Sequence, residues 1–132
     1  MVQCRHMKEK KLVIQIHRTQ KDIIEFLLDP KNSHTWIPSI ESEETNEWPV
    51  KVGTIFTEHN VGGGRSAYRI GALQDDMIEF VSTTIPYHAR YTFLPVSPDT
   101  TELEYFEWIE EAEIPEPFTL DILRKLRSVL ET

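Results

Sequence analysis

The chain has 132 residues, which at about 150 residues per domain fits a single domain. Hydrophobic residues make up 39% and charged residues 27%, enough apolar material for one core and too ordinary a mixture for a disordered or low-complexity chain. Acids outnumber bases 22 to 14, and a formal charge of -8 repels phosphate backbones and anionic surfaces, so nucleic acid is not an expected partner.

Residues 1–10 are basic and mixed, with no apolar run behind them, and are expected to be a frayed N-terminus rather than a leader. Cys4 is the single cysteine, so it has no intramolecular disulfide partner and no thiolate zinc site, and is expected to be a free thiol on that terminus. No apolar run approaches the roughly 18 residues that span a bilayer. A cytoplasmic location is the default expectation.

Residues 12–17 place Leu12, Ile14 and Ile16 on one face, the period of a half-buried strand. Thr19 then offers an N-cap hydroxyl to a helix whose apolar face is Ile23, Ile24, Phe26, Leu27 and Leu28 and which stops before Asp29-Pro30. Residues 31–37 read as a second short helical turn, ended by Pro38. Beyond Ile40 the period falls to two, and turn chemistry divides strands at 40–47, 53–60, 65–72, 76–83, 86–94 and 100–110. Connections this short make neighbouring strands antiparallel. After Pro115 and Pro117, a last helix carries Ile122, Leu123, Leu126, Val129 and Leu130 on one stripe, with Asp121 in its first turn and Arg127 in its last, as the helix dipole favours. Pattern alone gives an α+β domain in which the terminal helix buries its stripe on the sheet.

That element order, with Asp29-Pro30 and Trp36-Ile37-Pro38 after the first helix, Val50-Lys51-Val52-Gly53-Thr54 opening a strand and Thr100-Thr101-Glu102-Leu103 opening the last strand, resembles the START-like, or SRPBCC, superfamily. This group includes Bet v 1-like proteins and polyketide cyclase/dehydrase-like domains, and the match runs over residues 11–131. The resemblance implies a helix-grip fold, in which a curved seven-stranded antiparallel sheet wraps a C-terminal helix and leaves a mostly apolar cavity. Two departures stand out. Gly62, Gly63 and Gly64 fall between the third and fourth strands, whereas the plant proteins carry their glycine-rich loop between the second and third. The closing helix, read as about 14 residues, is shorter than theirs, which implies a smaller or more open pocket.

Several motifs point away from specific chemistries. The run Gly62-Gly63-Gly64-Arg65-Ser66 lacks the Gly-Lys-Ser/Thr ending of a phosphate loop and leads into a strand, so it reads as a hairpin tip. His6, His17, His34, His59 and His88 are scattered with no helical pairing, so no metal site is expected; His59 is the histidine best placed to reach a cavity rim, with a surface position favoured. No nucleophile elbow is present, and no cofactor is expected.

In the last strand, alternation sends Thr101, Leu103, Tyr105, Glu107 and Ile109 one way and Phe106 and Trp108 the other. Glu107 is the candidate catalytic residue: a carboxylate among apolar side chains suits proton transfer or the binding of a polar ligand group. The competing reading, favoured on pattern, has it at the rim or paired with Arg90 or Arg124. Trp36, Phe56, Tyr68, Phe80, Tyr91, Phe93, Tyr105 and Phe118, with Glu107, are the candidate ligand-binding residues, because this fold brings their separate elements around one interior. Phe106 and Trp108 on the outer face suggest a homodimer or protein partner, or else lie under Glu and Arg stems.

The expected function is binding of an apolar or aromatic small molecule, with tyrosine hydroxyls and Glu107 orienting its polar end. An enzyme of the polyketide cyclase/dehydrase type, using Glu107 with Tyr68 or Tyr105, is the alternative, and an interaction domain like the Hsp90-activator branch is a third. Finally, the negative charge is local: Asp99 to Glu116 carries eight acids and no base, while the other 114 residues balance. That segment reads as an acidic edge.

Overall fold

The computed structural model describes residues 7–114 and 117–132, so the expectations concerning Cys4, His6, Pro115 and Glu116 lie outside the described residues. Seven strands form one antiparallel sheet: β1 (Met7–Ile16), β2 (Ile40–Thr45), β3 (Ile55–Asn60), β4 (Arg65–Gln74), β5 (Met77–Ser82), β6 (Tyr87–Ser97) and β7 (Thr100–Glu110), in the order β1-β7-β6-β5-β4-β3-β2. Two helical pieces, α1 (Gln20–Leu28) and a 3-10 helix (Pro30–Thr35), carry the chain from one sheet edge to the other, and α2 (Leu120–Leu130) closes it.

Local chemistry explains the punctuation. The Thr19 hydroxyl accepts from the Asp22 amide and caps α1, the Asp29 carboxylate accepts from the Lys31 amide at the 3-10 helix, and Thr119 caps α2 through the Ile122 amide. Gly62, Gly63 and Gly64 all have positive φ, and a Cβ on any of them would meet nothing within 4 Å, so conformation alone calls for glycine at the β3–β4 tip.

Ile23 and Leu27 of α1, Leu123, Leu126 and Leu130 of α2, and Ile14, Ile16, Phe93 and Leu103 of the sheet form one core. The helices therefore cover one face, here called inner. Register shifts in β2, β4 and β6 mark bulges, which bend strands and increase twist.

Several expected boundaries move by a few residues, and two of the changes have a clear local cause. β1 begins at Met7, so residues 7–10 are not frayed: β7 is long enough to pair Met7 with Glu110 and Lys10 with Glu107, and backbone bonding holds a segment that has no apolar alternation. α2 has 11 residues rather than about 14, because Pro117, Phe118 and Thr119 approach it in non-helical conformation.

Candidate functional site

Between the inner face, the 3-10 helix and the start of α2 lies a cavity of about 600 Å³. Its mouth is formed by Pro38 and Ser39, the β5–β6 turn at Thr84 and Ile85, the start of β4 at Arg65, and Ile114 and Pro117 before α2. Of the nine sequence-predicted residues, Trp36, Phe56, Tyr68, Phe80, Tyr91, Tyr105 and Phe118 line this space. Phe93 shares their face but is packed into the apolar core, and Glu107 is fully buried outside the lining.

The rings form a continuous wall. Edge contacts link Phe56 to Phe80 at 5.3 Å, Phe80 to Tyr91 at 6.1 Å and Tyr91 to Tyr105 at 5.1 Å. Phe118 then stacks on Tyr105 at 4.5 Å and meets Trp36 edge-on at 5.8 Å. Such contacts add about 0.5–1.5 kcal/mol per pair beyond area burial, and they hold the wall in one arrangement.

Behind that wall Glu107 is 0% exposed. Tyr87 and Tyr105 each donate a phenol proton to its Oε1 at 2.7 Å, and the Phe118 amide donates to Oε2 at 3.3 Å. The expected pairing with Arg90 or Arg124 is therefore corrected: Arg90 bonds Glu79 on the outer face, and Arg124 bonds Asp121 along α2. Alternation along β7 points Glu107 inward, and Arg90 lies on the outward face of β6, so no short path joins them. Burial, followed by the Glu107 charge, pushes the Tyr87 hydroxyl far above its usual range. Burial likewise raises Tyr105 and Tyr91.

Sequence reasoning missed the other polar pole of the cavity. Glu43 and Glu58 both line it and are direct cross-strand partners on β2 and β3. Their side chains hydrogen-bond, which requires one carboxyl to hold a proton, and Ser33 of the 3-10 helix donates to Glu43. Burial pushes the Glu43 carboxyl up to about 7, against the lowering effect of the Ser33 and Glu58 bonds. Burial, then Glu58, Glu43 and Glu107 in that order, raises Tyr91, so its hydroxyl lies in the field of all three acids. A buried carboxyl raised to about 7 beside a second carboxyl can move a proton or receive a cation.

Glu58 was legible, since alternation in β3 puts it on the face of Phe56. Glu43 was not, because the register shift between Ile40 and Ser42 reverses the parity that Ile40 sets and turns Glu43 inward. His59 falls on the opposite face of β3 from Glu58, where its Nε2 lies 2.8 Å from Glu44 Oε1. Among the described residues no three His, Cys, Asp or Glu side chains converge as a metal site.

On the outer face Trp108 is half-buried rather than open. His88 stacks on it at 4.6 Å, the Arg90 guanidinium sits 5.2 Å from its centroid, and Phe106 packs at 5.2 Å. Among the described residues no helix is long and apolar enough to cross a membrane.

No protein-family profile and no curated protein matches the sequence. Solved structures do. A norcoclaurine synthase point mutant from Thalictrum flavum in complex with a transition state analogue aligns at TM-score 0.72 and 11% identity, covering 98% of each chain. The same plant's enzyme in complex with dopamine and hydroxybenzaldehyde aligns at 0.71 and 13%, covering 96% of this chain and 88% of that one. The protein XoxI from Bacillus cereus aligns at 0.70 and 14%, covering 93% and 95%. Likenesses at such low identity establish the fold, and the fold is common to the plant and bacterial proteins.

Proposed function

We propose that this chain, which has the helix-grip fold of the START-like superfamily, is a small-molecule binding protein whose cavity holds a ligand with an apolar, aromatic body. The observation that carries this reading is the cavity of about 600 Å³ walled by linked aromatic rings, within the size and character of ordinary ligand sites. The Thalictrum enzyme's complex with two small aromatic molecules supports a ligand-holding interior in this fold. In this reading Glu107 is a positioning residue: it holds Tyr87, Tyr105 and the Phe118 backbone, and through them the wall. The test is titration with the neutral fluorescent probe N-phenyl-1-naphthylamine. Saturable enhancement that disappears when Ala89, a cavity-lining residue, is filled by Ala89→Phe supports the reading, and enhancement unchanged by that substitution refutes it.

A second reading, acid–base catalysis in the same cavity, is favoured by the Glu43–Glu58 pair rather than by Glu107, whose oxygens are taken up by protein donors. It predicts that Glu43→Gln abolishes turnover of an enolisable substrate while leaving its binding intact.

A further inference from the structure

The polar groups of the cavity have a common sign. Two carboxyls, Glu43 and Glu58, stand in its wall and a third, Glu107, lies directly behind Tyr105, while the one base among the described lining residues is Arg65, exposed at the mouth. Each phenol has a single proton. Tyr87 and Tyr105 direct theirs to Glu107, so what they offer the cavity is lone pairs. The surrounding aromatic faces carry negative quadrupoles that attract cations. Hydrogen-bond acceptors, ring faces and carboxyls thus converge on a desolvated space, an environment that favours a positively charged donor and disfavours an anion.

Resting on the reading of the cavity as a ligand site, we propose that its ligands are amines: a protonated amino group sits at the Glu43–Glu58 pair and the apolar body lies along the Phe56–Tyr105 wall. The donor protons of an ammonium match the oxygens of the paired carboxyls. Binding expels the proton that the carboxyl pair shares, because an ammonium replaces it as the partner of both oxygens. The groups around the pair include the Ser33 hydroxyl from the 3-10 helix, the Tyr91 phenol from β6 and the Tyr68 phenol from β4, with Arg65 of β4 on the same cavity at its solvent edge. Tyr91 stays protonated near neutrality, so Glu43 is the group of this cluster that titrates there.

The experiment is calorimetric titration with three probes of one body: 4-phenylbutylamine, 4-phenylbutan-1-ol and 4-phenylbutyrate. The amine is expected to bind at least tenfold tighter than the alcohol, and the carboxylate more weakly than both. The amine's advantage is expected to grow from pH 6 to pH 8 and to vanish in Glu43→Gln/Glu58→Gln, which keeps its affinity for the alcohol. Alcohol binding without an advantage for the amine, or an advantage that survives the double substitution, overturns the amine proposal alone. Failure of all three probes overturns it together with the ligand-site reading. Should the double variant not fold, the pH series on the unaltered chain decides: a proton released per amine bound near pH 6.5, read from the dependence of the heat on buffer ionisation, supports the proposal, and none released refutes it.

Discussion

On the outer face of the sheet Glu79 accepts from Arg90 at 3.0 and 2.8 Å and lies 3.8 Å from His88, whereas on the inner face Glu43 and Glu107 are held by hydroxyls, a carboxyl and an amide. A carboxylate beside a base in partial solvent is a common way to decorate a sheet and contributes little. Carboxyls held without a base in a desolvated interior carry a solvation cost that folding alone does not explain. The difference between the faces is therefore a difference of role: the outer acid is structural, and the inner acids are available to a ligand or to the wall that receives it.

Substitutions on the two faces should break or sharpen that contrast, and Glu107→Ala is expected to have the largest effect. It leaves two buried phenol protons and an amide without their acceptor and opens a void, a loss of about 3–5 kcal/mol in urea unfolding. A loss below about 1 kcal/mol would put Glu107 in the same class as Glu79.

Next comes the pH dependence of Glu43→Gln. Burial raises Glu43 from 4.5 in a free carboxyl to about 7, so its contribution to stability is fully present below about pH 4.5 and is lost as pH rises through 7. The size of that shift corresponds to about 3 kcal/mol. The unaltered chain should lose on that order of stability relative to Glu43→Gln between pH 4.5 and 8; parallel stability curves would contradict the assignment.

Tyr105→Phe, which removes one of the two phenols on Glu107, should cost about 1–2 kcal/mol. Arg90→Ala, on a side chain 43% exposed, should cost about 1 kcal/mol or less and leave cavity probes bound as before. Loss of probe binding in Arg90→Ala would join the two faces that the structure separates.

How far the residues disclosed this arrangement differs by element. In β7 the alternation Leu103, Tyr105, Glu107, Ile109 alone predicts the buried face, because the register shift against β6 falls at the start of the strand, where Thr100 and Thr101 meet Ser97 and Pro95. The first part of β1 was invisible, since residues 7–11 carry no period and are held by the ladder to β7. Glu43 was hidden by a bulge, which leaves no mark in a polar stretch. Phe93 shares the face of the cavity residues yet lies in the core, because alternation tells face but not depth along the strand. The acidic segment is not an edge: β7 lies between β1 and β6, and basic residues of β1 meet acids on and after β7 as Lys11–Glu104 at 4.0 Å and Lys8–Glu113 at 3.6 Å. Charge counted along the chain cannot show what a neighbouring strand supplies.

The three tryptophans give a direct test of the central claim that the inner cavity is the ligand site. Trp36 lines the cavity, Trp108 packs on the outer face, and Trp48 is 63% exposed in the β2–β3 connection. In a ¹⁵N-resolved NMR titration with 4-phenylbutan-1-ol, the account predicts a saturable shift of the Trp36 indole signal with the Trp48 and Trp108 signals unmoved. A shift of Trp108 with Trp36 unchanged would contradict it.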